Sequence, residues 1–257
     1  MEIVIITIAA FLVAILTFFS GFGLGTILTP VFMLFFPVEL AVALTGIVHF
    51  CNNLFKLFLV GAKADKNVLL RFGLPAVLAA FAGAWLLLQI KDLQPLFSYR
   101  IGSNLIDVYP VKFIVSLLLL SFAIIELLPY FKHLQFNKNK LPVGGILSGF
   151  FGGLSGNQGA LRSAFLIKAG LSKEIFIGTA VVVSTFVDFT RLSVYASRFN
   201  KVEIEENIVL IICAVAGGIT GSYIGLKLLK KVTLEIIQKS VAVLLIVLSI
   251  ALGAGFI

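Results

Sequence analysis

The chain has 257 residues, of which 60% are hydrophobic and 12% are charged, and its mean hydropathy is +1.13. Soluble domains contain about 25% charged residues, so this composition argues against a water-soluble enzyme, a DNA-binding domain or a disordered regulator. It predicts a polytopic membrane protein in a lipid bilayer. The net charge of +8 fits Lys- and Arg-rich cytoplasmic loops and requires no nucleic-acid partner.

The first half of the chain contains two short and three long apolar segments. The short ones are 3–19 and 25–36, and the long ones are 39–60, 68–88 and 110–130. A helix needs about 20 residues to cross the hydrocarbon. The short pair is joined by glycine-rich sequence and is predicted to form a helical hairpin, either re-entrant or crossing the membrane twice.

The second half repeats this order of segments. Its short segments are 143–151 and 160–169, and its long ones are 173–196, 208–229 and 234–257. An offset of 134 residues aligns Gly25 with Gly159, Thr45 with Thr179, and five further identical pairs. We therefore predict an all-α polytopic fold with two repeats, 1–131 and 142–257, separated by a basic cytoplasmic linker at 132–141.

The basic residues indicate how these repeats are oriented. Each half crosses the membrane an odd number of times under either form of the hairpin, so the second repeat is inverted relative to the first. Of the Lys and Arg residues, 12 fall on the side opposite the N-terminus, five on the N-terminal side and three within the membrane. Cytoplasmic loops are enriched in Lys and Arg, so both termini are predicted to lie outside. The outer connector 97–108 has a two-strand pattern around a Gly-Ser-Asn turn.

Arg162 is the most informative polar residue. It lies three residues after Gly159, in the first turn of the second arm of the second hairpin. A helix N-terminus already attracts anions, and a guanidinium group matches the geometry of flat or tetrahedral oxyanions. Arg162 is either a ligand of an anion or a structural clamp on the hairpin backbone.

Paired glycine-broken segments in two halves also point to a transporter binding site. The polar residues Asn157 and Gln158 at the second tip exceed what helix capping alone requires. The first tip contains Gly23, Gly25 and Thr26, whose backbone N–H groups an anion can approach closely.

One polar helical face follows each short pair, with residues at spacings of 4, 3 and 4. The first face consists of Thr45, His49, Asn52 and Lys56, and the second of Ser184, Asp188, Arg191 and Tyr195. Both are expected to face the protein interior. Asp188 and Arg191 are expected to form an ion pair one turn apart. His49 either carries a proton or is a hydrogen-bonded structural residue, and Lys56 lies where a lysine commonly extends to the interface.

The glycine-rich joints resemble those of the sulfite exporter TauE/SafE family, also called the TSUP family. The two copies are SGFGLGTILTP at 20–30 and GFFGGLSGNQGALR at 149–162. Thr45 and Thr179 occupy positions where that family has a small polar residue in the following helix. The resemblance implies a bacterial inner-membrane carrier of small sulfur-containing anions such as sulfite or organosulfonates. Both termini are then periplasmic.

The resulting hypothesis is a secondary transporter, an exporter by its resemblance, that holds an anion near mid-membrane between the two hairpin tips. The predicted binding residues are Arg162, Gly23, Gly25, Thr26, Asn157, Gln158, Gly159, Thr45, His49, Asn52, Asn53 and Thr179. The candidates for coupling or gating are His49, Lys56, Asp188 and Arg191. Rocking of the two repeats would expose the site alternately.

An anion channel of the same fold is the main alternative. An enzyme is not expected, because the sequence offers no nucleophile with a facing base, no metal-ligand cluster and no phosphate-binding loop. No cofactor is predicted. The exact substrate, the direction of transport, the coupling ion and the oligomeric state are left open.

Overall fold

The computed structural model describes residues 1–18, 24–90, 93–127, 138–156, 158–166, 169–197, 201–228 and 234–256. The regular structure in these residues is almost entirely helical. The helices of the first half are α1 (Glu2–Thr17), α2 (Gly25–Met33), α3 (Val38–Val60), α4 (Lys66–Ile90) and α5 (Pro110–Leu127). Those of the second half are α6 (Leu141–Ser155), α7 (Gly159–Leu166), α8 (Lys173–Tyr195), α9 (Lys201–Glu206), α10 (Ile208–Leu228) and α11 (Leu234–Gly253).

Among the residues that the structure describes, four helices are long and apolar enough to cross a membrane, namely Val38–Lys63, Lys66–Ile90, Lys173–Tyr195 and Ile208–Lys227. The prediction of a helical membrane protein is therefore confirmed. By contrast, α1 and α6 contain 16 and 15 residues. At about 1.5 Å per residue neither covers a hydrocarbon layer of about 30 Å when upright. In each half, a short apolar helix and a still shorter one precede the long helices.

Two antiparallel strands form the connector at 97–108, as its sequence pattern predicts. They are β1 (Phe97–Ile101) and β2 (Asn104–Val108), and Gly102 in the turn between them has a φ of +60°. The hydroxyl of Tyr99 donates a hydrogen bond of 2.5 Å to the carbonyl of Ala254. This contact fastens the hairpin to the end of α11.

The helices of one half pack mainly against helices of the other half. The most extensive pairs are α4 with α6, α1 with α10, α5 with α11 and α3 with α8. Small residues permit these close approaches, most clearly where Gly149 of α6 lies directly against the backbone of Ala76 in α4. A β-carbon on Gly149 would overlap the Ala76 carbonyl group. This position therefore sets the distance between α4 and α6.

We expect Gly149→Ala to destabilise the protein by about 1–3 kcal/mol, because the added methyl group overpacks a backbone contact that has no flexible side chain to yield. The midpoint of thermal unfolding in detergent micelles measures this effect. Leu147→Ala is the matched control, since Leu147 is on the same helix and 38% exposed. An equal shift in both variants would contradict a special role for this helix contact.

Candidate functional site

Helices α3 and α8 cross near the centre of the protein and bring their polar faces together. Three contacts show that they run antiparallel. Gly46 lies beside Arg191, His49 contacts Asp188, and Gly178 lies against the carbonyl of Val60. The predicted polar faces are therefore turned inward. Lys56 and Arg191, each placed near a helix end by the sequence, are 4% and 0% exposed.

Asp188 is the centre of a buried polar network. Its Oδ2 atom lies 2.6 Å from Nδ1 of His49 and accepts a hydrogen bond of 2.9 Å from the Asn53 amide. Its Oδ1 atom accepts a 3.0 Å hydrogen bond from Nε of Arg191 and one of 3.3 Å from the Gln158 amide. The network joins α3, α8 and the tip between α6 and α7, and it contains the expected Asp188–Arg191 pair.

The two glycine-rich tips meet beside this network. Gly25 begins α2, and a β-carbon placed on it would lie 3.2 Å from the Gly156 carbonyl oxygen and 3.7 Å from Cγ of His49. Gly156 ends α6 with a φ of +77°, a left-handed conformation that glycine adopts without steric cost. Glycine at these two positions thus allows α2 to approach the His49 imidazole ring and the end of α6 to approach the Arg191 guanidinium group.

A cavity of about 20 Å³, with space for about one water molecule, lies next to the Asp188 network. Arg162 extends from the first turn of α7 into its wall and donates a hydrogen bond to the Ser184 hydroxyl. The polar wall is formed by Thr17, Asn53, Lys56, Arg162 and Ser184. Phe18 and apolar residues of α8 complete the lining.

The cavity lies towards the C-terminal end of α3 and the N-terminal end of α8. Lys56 follows His49 in α3, whereas Ser184 precedes Asp188 in α8. Because the two helices are antiparallel, both displacements are in the same direction. The His49–Asp188 contact therefore lies between the cavity and the other ends of the two helices, namely the N-terminal end of α3 and the C-terminal end of α8.

Buried positive charge exceeds buried negative charge around this cavity. Lys56, Arg162 and Arg191 are each at most 4% exposed. Asp188 is the only buried carboxylate among the side chains that the structure describes. A cation inside a membrane protein costs at least about 2.5–3.5 kcal/mol when it lacks compensation. If His49 is neutral, the buried side chains that the structure describes have a net charge of +2. The negative charge of a bound anion would neutralise it.

The remaining predicted binding residues take different positions. Thr26 and Thr45 are buried, and Gly159 begins α7 next to the cavity wall. Gly23 and Asn157 lie outside the described residues.

Two predicted residues face other helices or loops. Asn52 accepts a hydrogen bond of 2.8 Å from the Ser222 hydroxyl of α10. The hydroxyl of Thr179 accepts one of 2.9 Å from the Asp65 backbone N–H, at the connection between α3 and α4. Neither residue lines the cavity.

Thr179→Val is accordingly expected to leave the apparent affinity for a transported anion within about twofold of wild type. The substitution removes one hydrogen bond at a loop, and such a bond stabilises a protein by about 0.5–1.5 kcal/mol. Uptake measured against anion concentration, together with thermal unfolding, separates the two effects. A large rise in KM with unchanged stability would instead assign Thr179 to the substrate site.

Sequence reasoning did not assign Thr17, Phe18 and Ser184 to the binding site. Ser184 belongs to the polar face that contains Asp188, and its position four residues before Asp188 was an available signal. Thr17 and Phe18 end an apolar helix, and their position in the cavity depends on how α1 packs against the other half.

Comparison with known proteins adds the family assignment to this geometry. The family model described as Sulfite exporter TauE/SafE matches residues 6–252. The chain belongs to this family. Neither a curated protein nor a solved structure matches the chain. As a TauE/SafE family member with membrane-spanning helices, it is a multi-pass membrane protein of the exporter-type transporter class.

Proposed function

We propose that this TauE/SafE family member is a secondary transporter that exports a small sulfur-containing oxyanion, such as sulfite or an organosulfonate, across a bacterial inner membrane. The observation that carries the proposal is the excess of buried positive charge around the cavity. Arg162, in the first turn of α7, adds its guanidinium group to the positive end of a helix. An oxyanion would interact favourably both with this guanidinium group and with the N-terminal end of the helix.

Reciprocal helix packing supports two inverted repeats. The first helix of each half packs against the fourth apolar segment of the other half, as α1 with α10 and α6 with α4. The third segments pair with each other, as do the fifth segments, in α3 with α8 and α5 with α11. An approximate two-fold axis that relates the two halves would exchange the members of these pairs. Alternating access would follow from rocking of the halves around their common centre.

Closure of this region on one side of the cavity favours a carrier over a channel. A channel needs a continuous wet path, whereas the His49–Asp188 contact and the meeting of Gly25 with Gly156 close this region on one side. An inside-negative potential favours exit of an anion by about 2.3 kcal/mol per charge at 100 mV. Export can therefore proceed without ATP.

Uptake into proteoliposomes tests the proposal. Purified protein would be reconstituted, and sulfite, thiosulfate, sulfoacetate and sulfate offered under an imposed potential of either sign. Empty liposomes provide the baseline. We expect saturable uptake of at least one anion, with trans-stimulation by the same anion on the other side.

The outcomes distinguish the alternatives. Saturation with trans-stimulation supports a carrier. Uptake that rises linearly with concentration and follows the potential as a conductance would favour the anion channel. Absence of transport of all four anions in a correctly folded sample would overturn the proposed substrate class.

A further inference from the structure

Lys56 has an unusual position for a lysine near the end of a membrane helix. Such residues normally extend their ammonium group to the interface. Lys56 is instead 4% exposed and its Nζ atom lies 5.1 Å from the centre of the Phe18 ring. It lines the same cavity as Arg162. Two cations of different helices thus meet at one small space.

The buried carboxylate of Asp188 forms no ion pair with Lys56. Asp188 contacts His49, Asn53, Arg191 and Gln158, whereas Lys56 forms no ion pair with a carboxylate among the described residues. Contact with the Phe18 ring compensates an ammonium charge by about 2 kcal/mol when desolvated. That value is below the cost of burying the charge, and a negative charge bound in the cavity would compensate the remainder.

We propose that Lys56 is a specificity-determining residue of the anion site, and that the site selects substrates with two negative charges over substrates with one. This inference rests on the proposed transport function and deepens it. Arg162 holds an oxyanion group with the Ser184 hydroxyl beside it, and Lys56 neutralises the second charge. A monoanion bound at Arg162 brings no negative charge for the Lys56 ammonium group.

Two kinds of dianion satisfy this chemistry. One is a small inorganic oxyanion whose two charges share a single centre. The other is a short organic acid with two acidic groups, one for each cation. The cavity of about 20 Å³ is too small for either in the conformation described, so binding requires the cavity to widen.

The test compares dianions with a monoanion in the same proteoliposomes. Sulfate represents a single-centre dianion, sulfoacetate a two-centre dianion, and methanesulfonate a monoanion. Wild-type protein is expected to transport one of the dianions with a kcat/KM about tenfold or more above that of methanesulfonate. The preferred dianion identifies which of the two charge arrangements fits.

Lys56→Met removes the ammonium group and keeps the length of the side chain. We expect it to lower kcat/KM for the preferred dianion about tenfold or more, with methanesulfonate changed less than about threefold. Lys63→Met is the matched control, because Lys63 lies in the turn that extends α3 and is exposed. Lys56→Arg keeps the charge and is expected to retain a preference for dianions.

The contrary results are distinguishable from failure of transport. If wild type carries dianions and methanesulfonate equally well, or if Lys56→Met lowers both by the same factor, the role of Lys56 in selectivity is overturned while transport stands. If wild type carries neither these anions nor sulfite and thiosulfate, the transport function and this inference fail together. A lower thermal midpoint in Lys56→Met with unchanged selectivity would make Lys56 purely structural.

Discussion

Arg162→Ala is expected to abolish anion uptake, and this is the largest functional effect that the structure predicts. Arg162 is 2% exposed, lines the cavity and donates to Ser184. Removing one member of a buried, hydrogen-bonded charge pair costs about 2–5 kcal/mol. If the other member of the pair is the substrate, the affinity of the protein for the substrate falls about 30-fold or more, since about 1.4 kcal/mol corresponds to a factor of ten.

The measurement is saturable uptake in proteoliposomes that contain matched amounts of each variant. Arg71→Ala is the control, because Arg71 is an exposed arginine of α4 whose loss removes the same charge away from the cavity. Arg162→Lys is expected to be intermediate, since it keeps the charge and loses the planar fork. Normal uptake by a folded Arg162→Ala protein would make Arg162 a clamp on the hairpin and move the substrate site elsewhere.

The sequence predicted the helical membrane class and the order of elements, because both depend on the local distribution of apolar residues. Segments that lack charge over about 20 residues have few alternatives to a membrane helix. The β-hairpin at 97–108 was predictable for a similar reason, since its alternating pattern surrounds Gly102. In both cases the information lies within a single stretch of chain.

The arrangement of the site depends on contacts between distant stretches of chain. Spacing predicted the pair of Asp188 with Arg191 within one helix, but the contact of Asp188 with His49 joins residues 139 positions apart. The same limit applies to Thr179 and Asn52. Both are polar and on the expected helices, yet their partners belong to a loop and to α10.

Lys56 illustrates how tertiary packing changes the meaning of a sequence position. Its distance from the helix end favours an interfacial lysine, and nothing within α3 indicates otherwise. The end of α1 brings Phe18 over its ammonium group, and α7 brings Arg162 to the same cavity. The packing of α1, α3 and α7 therefore brings Lys56 and Arg162 together in one buried cavity.

Asp188→Asn is expected to destabilise the protein more than any other single isosteric substitution in the site. Asp188 and Arg191 are both 0% exposed, and the carboxylate also accepts from His49, Asn53 and Gln158. Breaking a buried ion pair by removing one partner costs about 3–5 kcal/mol, because the other charge stays buried without compensation. We therefore expect the thermal midpoint in detergent to fall by about 6–20 °C.

A double-mutant cycle separates this pair from a general loss of packing. Arg191→Gln removes the stranded charge, so Asp188→Asn combined with Arg191→Gln should be less destabilised than the sum of the single variants, by more than about 1 kcal/mol. Glu205→Gln, at an exposed carboxylate of α9, should leave the midpoint unchanged. Simple additivity of the two buried substitutions would mean that Asp188 acts through His49 and Asn53 rather than through Arg191. The contact that joins α3 to α8 would then be the principal support of the site.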